Sequence, residues 1–213
     1  HHEREFPGWS DAIIIIPYHL YSMYGDKKII TENYDAMKKW LDITIKTQHV
    51  DDRRSSDHNP LSQKYSKFGT AIFINCLNYF VELAQVIDKK EDAEFYHNKA
   101  EELKQQFNRR YFNQDENTYN PDIQFSYATA LAWDVYPEGH REQVAESLAD
   151  RVQLADWHVT TGFLGTRFLF QALSENRYHE DAYRIVTQTS YPSYGYMVEK
   201  GATSMWERWN SDT

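Results

Sequence analysis

The feature that most constrains this chain is an alternation of two kinds of helical segment. Residues 11–25 (DAIIIIPYHLYSMYG) are apolar nearly all round, whereas residues 31–46 (TENYDAMKKWLDITIK) are apolar on one side and charged on the other. The pattern recurs: apolar 67–87 precedes charged 90–112, 125–136 precedes 138–153, and 160–175 precedes 176–188. In 67–87, Phe68, Ile72, Tyr79, Leu83 and Val86 fall on or near one face, and in 90–112 Tyr96, Ala100, Leu103, Phe107 and Tyr111 step by four or three. A helix apolar on every side must be buried on most of them, while a one-sided helix covers something. Four buried-then-covering pairs predict an inner ring of helices wrapped by an outer ring, an all-α (α/α)6 toroid. An irregular helical bundle or a solenoid is the alternative that the pattern leaves open. Eight helices are counted where a closed toroid of six hairpins uses twelve, so residues 1–213 are expected to form a single, partial toroid domain.

Helix signals mark the joints. Asp26 and Thr31 flank the turn GDKKIIT, with Glu32 behind the Thr cap, and residues 113–122 (NQDENTYNPD) read as a loop. The ends of such a ring are natural clefts lined by the loops between hairpins.

Composition narrows the function. The net charge of −9 and a pI near 5.5 argue against nucleic acid as a partner. The lone Cys76, inside AIFINCLNYF, excludes an intrachain disulfide framework and reads as a buried thiol. Ala12–Ile16 is too short for a membrane span and is followed by Pro17. No HExxH or paired-His spacing occurs, so neither a catalytic metal nor another cofactor is expected. His1 and His2 read as the end of a purification tag. The cysteine count fits a soluble protein of the cytoplasm, the periplasm or the exterior. Aromatic residues make up 15% of the chain, with 16 Tyr and 6 Trp, more than a core of this size needs. Flat amphipathic rings stack on the C–H faces of sugars.

Four stretches carry candidate chemistry. In WERW, Glu207 lies between Trp206 and Trp209, where desolvation raises a carboxyl pKa and Arg208 opposes the rise; the plainer reading is a surface Glu-Arg pair beside two core tryptophans. In GWSDA, Trp9 stands on a Pro-Gly loop as a stacking platform, and Asp11 is either a site residue or the N-cap of the next helix. In DWHVTTG, His158 suits a sugar hydroxyl or a structural bond near a helix cap. Tyr191, Tyr194, Tyr196, Trp206 and Trp209 crowd 191–209, which reads as a loop shaped around a ligand.

Together GWSDAIIIIPYHLYSMYGD (8–26), HVTTGFLGT (158–166) and YPSYGYMVEKGATSMWERWNSDT (191–213) resemble, in order and spacing, segments of glycoside hydrolase family 78, the α-L-rhamnosidases. The resemblance covers almost the whole chain and is most specific at its last segment. It implies an (α/α)6 catalytic domain, with accessory β-domains elsewhere in the longer protein, that removes terminal α-L-rhamnose from glycosides or polysaccharides by inversion. It places the general base on Glu207 and a rhamnose-packing ring on Trp9; the reading of the residues themselves adds Asp11, His158, Trp206 and Trp209 to the expected substrate-binding set. The family's general acid belongs to an Asp-Cys-Pro-x-Arg-Glu-like motif that nothing here matches, so neither Glu3 nor Glu5 is assigned that role. Where the family carries a Gly-Asp-Trp segment, this chain has QHVDDRRSSDHNP. A non-catalytic carbohydrate-binding protein on the same scaffold is the rival reading, and an all-helical protein-interaction module the third.

Overall fold

The structure is a computed structural model that describes residues 7–47 and 69–211. The family-specific expectation at QHVDDRRSSDHNP and the exclusion of Glu3 and Glu5 lie outside the described residues. The chain divides into two compact units: residues 1–55 with 67–107, and residues 56–66 with 108–213.

The first unit contains α1 (Ala12–Tyr24), α2 (Lys28–Thr47), α3 (Gly69–Val86) and most of α4 (Lys90–Tyr111). Gly25 ends α1 in the left-handed conformation (φ 69°), its N–H donating to Tyr21 O at 2.7 Å. The next helix starts earlier than the Thr31 cap predicts, because Asp26 Oδ1 accepts the Lys28 N–H at 2.8 Å and caps it there. Helix α1 packs on both α2 and α3. Burial of α3 is nearly continuous from Gly69 to Ala84. In α4 the stripe Tyr96, Ala100 and Phe107 is fully buried, as its spacing predicts.

Phe80 of α3 sits between the rings of Tyr34 and Tyr96, with centroids 5.1 and 5.0 Å away. Both phenols reach acidic groups on the facing helix: Tyr34 donates to Asp92 at 2.6 Å and Tyr96 donates to Asp42. Lys38 completes the cluster, donating to Asp92 at 2.8 Å. Burial followed by the Asp92 contact raises the Tyr34 pKa, so the hydroxyl remains a donor across the ordinary pH range.

One expectation fails here. Helix α1 is apolar all round yet buries only Ile14 and Pro17, while Ile16, Leu20, Met23 and Tyr24 form an exposed stripe. The cause is that α2 and α3 cover one side of it, and no other described residues close over Ile16, Met23 and Tyr24.

The second unit opens on a hairpin the sequence reading left as loop. Strands β1 (Phe112–Asn113) and β2 (Thr118–Tyr119) pair antiparallel, Phe112 opposite Tyr119. Helix α5 (Gln124–Ala132) follows and is buried along nearly its whole length. It packs on α6 (Arg141–Leu154) and on α7 (Phe163–Glu175), and α7 packs on α8 (His179–Val186). The contact of α1 with α3 in the first unit and of α5 with α7 in the second is the adjacency expected of consecutive inner-ring helices. Helix α6 turns Val144, Ala145, Leu148, Ala149 and Val152 inward and its charges outward, as a covering helix should.

A ninth helix among the described residues is a further departure. Residues read as a ligand-shaped loop contain α9 (Tyr194–Glu199), because Ser193 adopts extended backbone and its Oγ accepts the Tyr196 N–H at 3.0 Å. Gly195 lets this helix lie against the preceding chain: a Cβ there would fall 2.5 Å from Gln188 O and 2.9 Å from Thr189 Cα.

Candidate active site

Three local elements of the second unit enclose a cavity of about 220 Å³. The first turn of α7 contributes Phe163 and Arg167, four residues apart and so on one face. Helix α9 contributes Tyr194 and Met197, three apart and again on one face. The non-helical stretch Met205–Trp209 closes the wall with Trp206, Glu207 and Trp209. Among the described lining residues the charged groups are Arg167 and Glu207; the rest of the wall is mainly aromatic and thioether. Burial raises the Tyr194 pKa, which keeps its ring a neutral phenol.

The two tryptophans of WERW are not equivalent. Trp206 is half-buried at the wall, whereas Trp209 is 7% exposed and donates its indole N–H to Thr161 O at 2.9 Å. The Trp209 ring also meets Tyr194 edge-on, centroids 5.2 Å apart at 62°. Glu207 between them is an exposed residue of the same wall. Both indoles line the cavity, and that of Trp209 is also an anchor.

The loop that accepts Trp209 is itself fixed. Gln124, at the start of α5 and 1% exposed, accepts the Thr160 N–H at 2.9 Å and donates to His158 O at 3.0 Å. Thr161 and Thr166 exchange a 2.8 Å hydroxyl contact, and Thr166 donates to Gly162 O at 2.7 Å. His158 is engaged at both ring nitrogens: Nδ1 faces Ala155 O at 3.2 Å and Nε2 faces Ser190 Oγ at 2.8 Å. A carbonyl can only accept, so Nδ1 carries a proton toward Ala155 O. Trp157, next to it, holds a left-handed backbone (φ 54°), gives its N–H to Asp181 at 2.6 Å and lies under Arg184.

Trp9 and Asp11 belong to the first unit. The Trp9 ring is 55% exposed on its loop. Asp11 is fully buried at the N-cap position of α1, but its carboxylate does not cap the helix; it accepts the Gly8 N–H at 2.6 Å and closes the GWSD turn. Gly8 adopts φ 92°, which a side chain would resist.

The structure thus brings Trp206, Glu207 and Trp209 to one cavity and places His158 in the loop that supports it. It also adds Phe163, Arg167, Tyr194 and Met197, which sequence reasoning had absorbed into a helix and an aromatic loop. A signal for Phe163 was available: it lies off the buried stripe Gly165, Leu169, Ala172 and Leu173, so its ring needed another use.

Similarity to known proteins identifies the family and agrees with the helical fold. The family model described as the bacterial α-L-rhamnosidase six-hairpin glycosidase domain matches residues 1–213. An α-L-rhamnosidase of Formosa agariphila is 32% identical over 99% of this chain, and one of Alteromonas sp. (strain LOR) is 32% identical over 96%. The crystal structure of Streptomyces avermitilis α-L-rhamnosidase complexed with L-rhamnose superposes with a TM-score of 0.91 over 98% of the chain, at 29% identity. The match covers 20% of that structure, and the chain spans 24% of the length of each of the two curated relatives. The chain belongs to the bacterial α-L-rhamnosidase family and carries part of its six-hairpin glycosidase fold.

Proposed function

We propose that this chain is part of the catalytic domain of an inverting glycoside hydrolase that releases terminal α-L-rhamnose from glycosides or polysaccharides. Glu207 is the general base. It takes a proton from water as the oxygen attacks the anomeric carbon on the face opposite the leaving group. A general acid from outside this chain protonates the departing glycosidic oxygen.

One observation carries this reading: Glu207, an exposed acidic residue, lines a cavity walled by Trp206, Tyr194 and Phe163. Aromatic walls suit the apolar C–H faces of a pyranose, and exposure gives Glu207 the water it must activate. Trp9 offers a further ring. Asp11 and His158 serve substrate binding by fixing the GWSD turn and the 158–161 loop, and Trp209 fixes the WERW turn. The rhamnose-bound Streptomyces relative supports rhamnose as the sugar. The relatives' greater length supports accessory domains elsewhere in the polypeptide.

The test uses the full-length protein. Glu207→Gln should lower kcat on an aryl α-L-rhamnoside by about 10²–10⁴-fold, the ordinary worth of a general base. Proton NMR of the wild-type reaction should show β-L-rhamnose as the first-formed anomer. Wild-type turnover by Glu207→Gln would overturn the base assignment. A full-length wild type that binds rhamnose without hydrolysing the glycoside would favour the binding-protein reading.

A further inference from the structure

The WERW turn has little regular structure to hold it. Residues 203–211 form neither helix nor strand; the described backbone bonds around the segment run from Ala202 N–H to Met197 O before it and from Ser211 N–H to Arg208 O at its end. In such a segment side-chain bonds do much of the positioning. The Trp209 indole supplies such a tie, and its acceptor is a carbonyl rather than a flexible side chain. That carbonyl, Thr161 O, sits between two constraints. On one side Gln124 holds His158 and Thr160 through both ends of its amide, with Nε2 also 3.4 Å from Arg151 O. On the other, the Thr161–Thr166–Gly162 hydroxyl chain locks the start of α7.

We infer that Trp209 and Gln124 are positioning residues for Glu207, acting through the backbone of residues 158–161 and not through contact with substrate. Glu207 is two residues from Trp209, so their Cα atoms lie within about 7 Å and a shift at the anchor reaches the carboxylate almost undiminished. Gln124 is 85 positions earlier in the chain than Trp209 and is not among the described residues that line the cavity, yet its amide holds the backbone at His158 and Thr160, next to Thr161. The inference rests on Glu207 being the general base and deepens that reading by naming what aims it. A displacement of roughly 1 Å at a reacting group can cost about 10²-fold in rate while leaving ground-state binding alone.

The experiment compares Trp209→Phe, Gln124→Met and Glu207→Gln in the full-length protein. Trp209→Phe keeps a ring against Tyr194 but removes the N–H; Gln124→Met keeps the volume but removes both amide contacts. The expected result for each is a fall in kcat of about 10–100-fold, with L-rhamnose affinity by calorimetry within about twofold of wild type. A binding stoichiometry near one shows that the lost rate is not lost folded protein. Hydrogen exchange should rise across 203–211 in both variants. If Trp209→Phe fails to fold, Gln124→Met, remote from the cavity, still decides. Weakened rhamnose binding at unchanged kcat would make Trp209 a substrate contact and overturn the inference, as would wild-type kcat in Gln124→Met. Wild-type kcat in Glu207→Gln would instead remove the base reading itself, whatever the other two variants do.

Discussion

Gly195→Ala is the substitution whose consequences the structure specifies most closely. The residue lies in α9 with ordinary backbone angles, so the cost is a matter of space and not of conformation. An added Cβ would stand 2.5 Å from Gln188 O, where a tolerable carbon–oxygen contact is about 3.3 Å, so α9 must retreat by about 0.8 Å (3.3 − 2.5). Backbone atoms of residues 188–189 cannot swing aside as a side chain would. Overpacking of this kind costs about 1–3 kcal/mol, and the better helix propensity of Ala returns up to about 1 kcal/mol, leaving a net loss of roughly 1–2 kcal/mol. For a domain of this size that is a fall in melting temperature of roughly 2–8 °C. Function should suffer more than stability, because Tyr194 and Met197 ride on the same helix and Tyr194 contacts Trp209. A wall shifted by most of an ångström predicts a loss in kcat/KM of about 10–100-fold. Calorimetry and rhamnoside kinetics on the full-length protein read both numbers. Gly139→Ala is the control: Gly139 has φ 77° and open space around it, so it should lose stability through backbone strain while kcat/KM stays at the wild-type value. If Gly195→Ala keeps both its melting temperature and its kcat/KM, then α9 does not lie against residues 188–189 as described and the reasoning fails.

Two further predictions concern capping and charge. Ser193→Ala removes the side-chain acceptor of the Tyr196 N–H and should destabilise by about 0.5–2 kcal/mol, with hydrogen exchange rising first at 194–199; unchanged protection there would deny the cap its role. Burial pushes the Asp92 carboxyl up, but hydrogen bonds from Lys38 and Tyr34 outweigh it and hold the pKa below the usual carboxylate range. A depressed folded-state pKa means that stability is gained above the unfolded value and lost as pH falls through the folded one. Wild type should therefore exceed Asp92→Asn in stability at neutral pH, and the gap should close in denaturant titrations as pH drops below about 4. A gap independent of pH would mean that the charge is not what matters.

Much of the architecture was legible because helix burial leaves a periodic trace. The stripe Tyr96, Ala100 and Phe107 and the buried run of α3 follow directly from spacing. What escaped lacks periodicity or depends on distant chain. Six residues are too few for α9 to announce itself, and its sole local signal is a serine cap. In WERW the two tryptophans look interchangeable, and only the fold reveals that Thr161, 48 positions away, claims the N–H of one of them. Asp11 shows the same limit on a smaller scale: a helix-capping position was legible, but not that Gly8 would bring its own N–H to the carboxylate. The exposed stripe of α1 was misjudged because sequence reports what a helix could bury, not what is present to cover it.

The cavity walls come from α7, α9 and the WERW turn, which all fall between Phe163 and Trp209, a stretch of 47 residues (209 − 163 + 1). For an engineer this contiguity is useful. A combinatorial library confined to one short cassette reaches every described wall of the cavity while leaving Gln124 and the first unit's core untouched. On the proposed reading, swapping a single synthetic gene fragment re-tunes sugar preference.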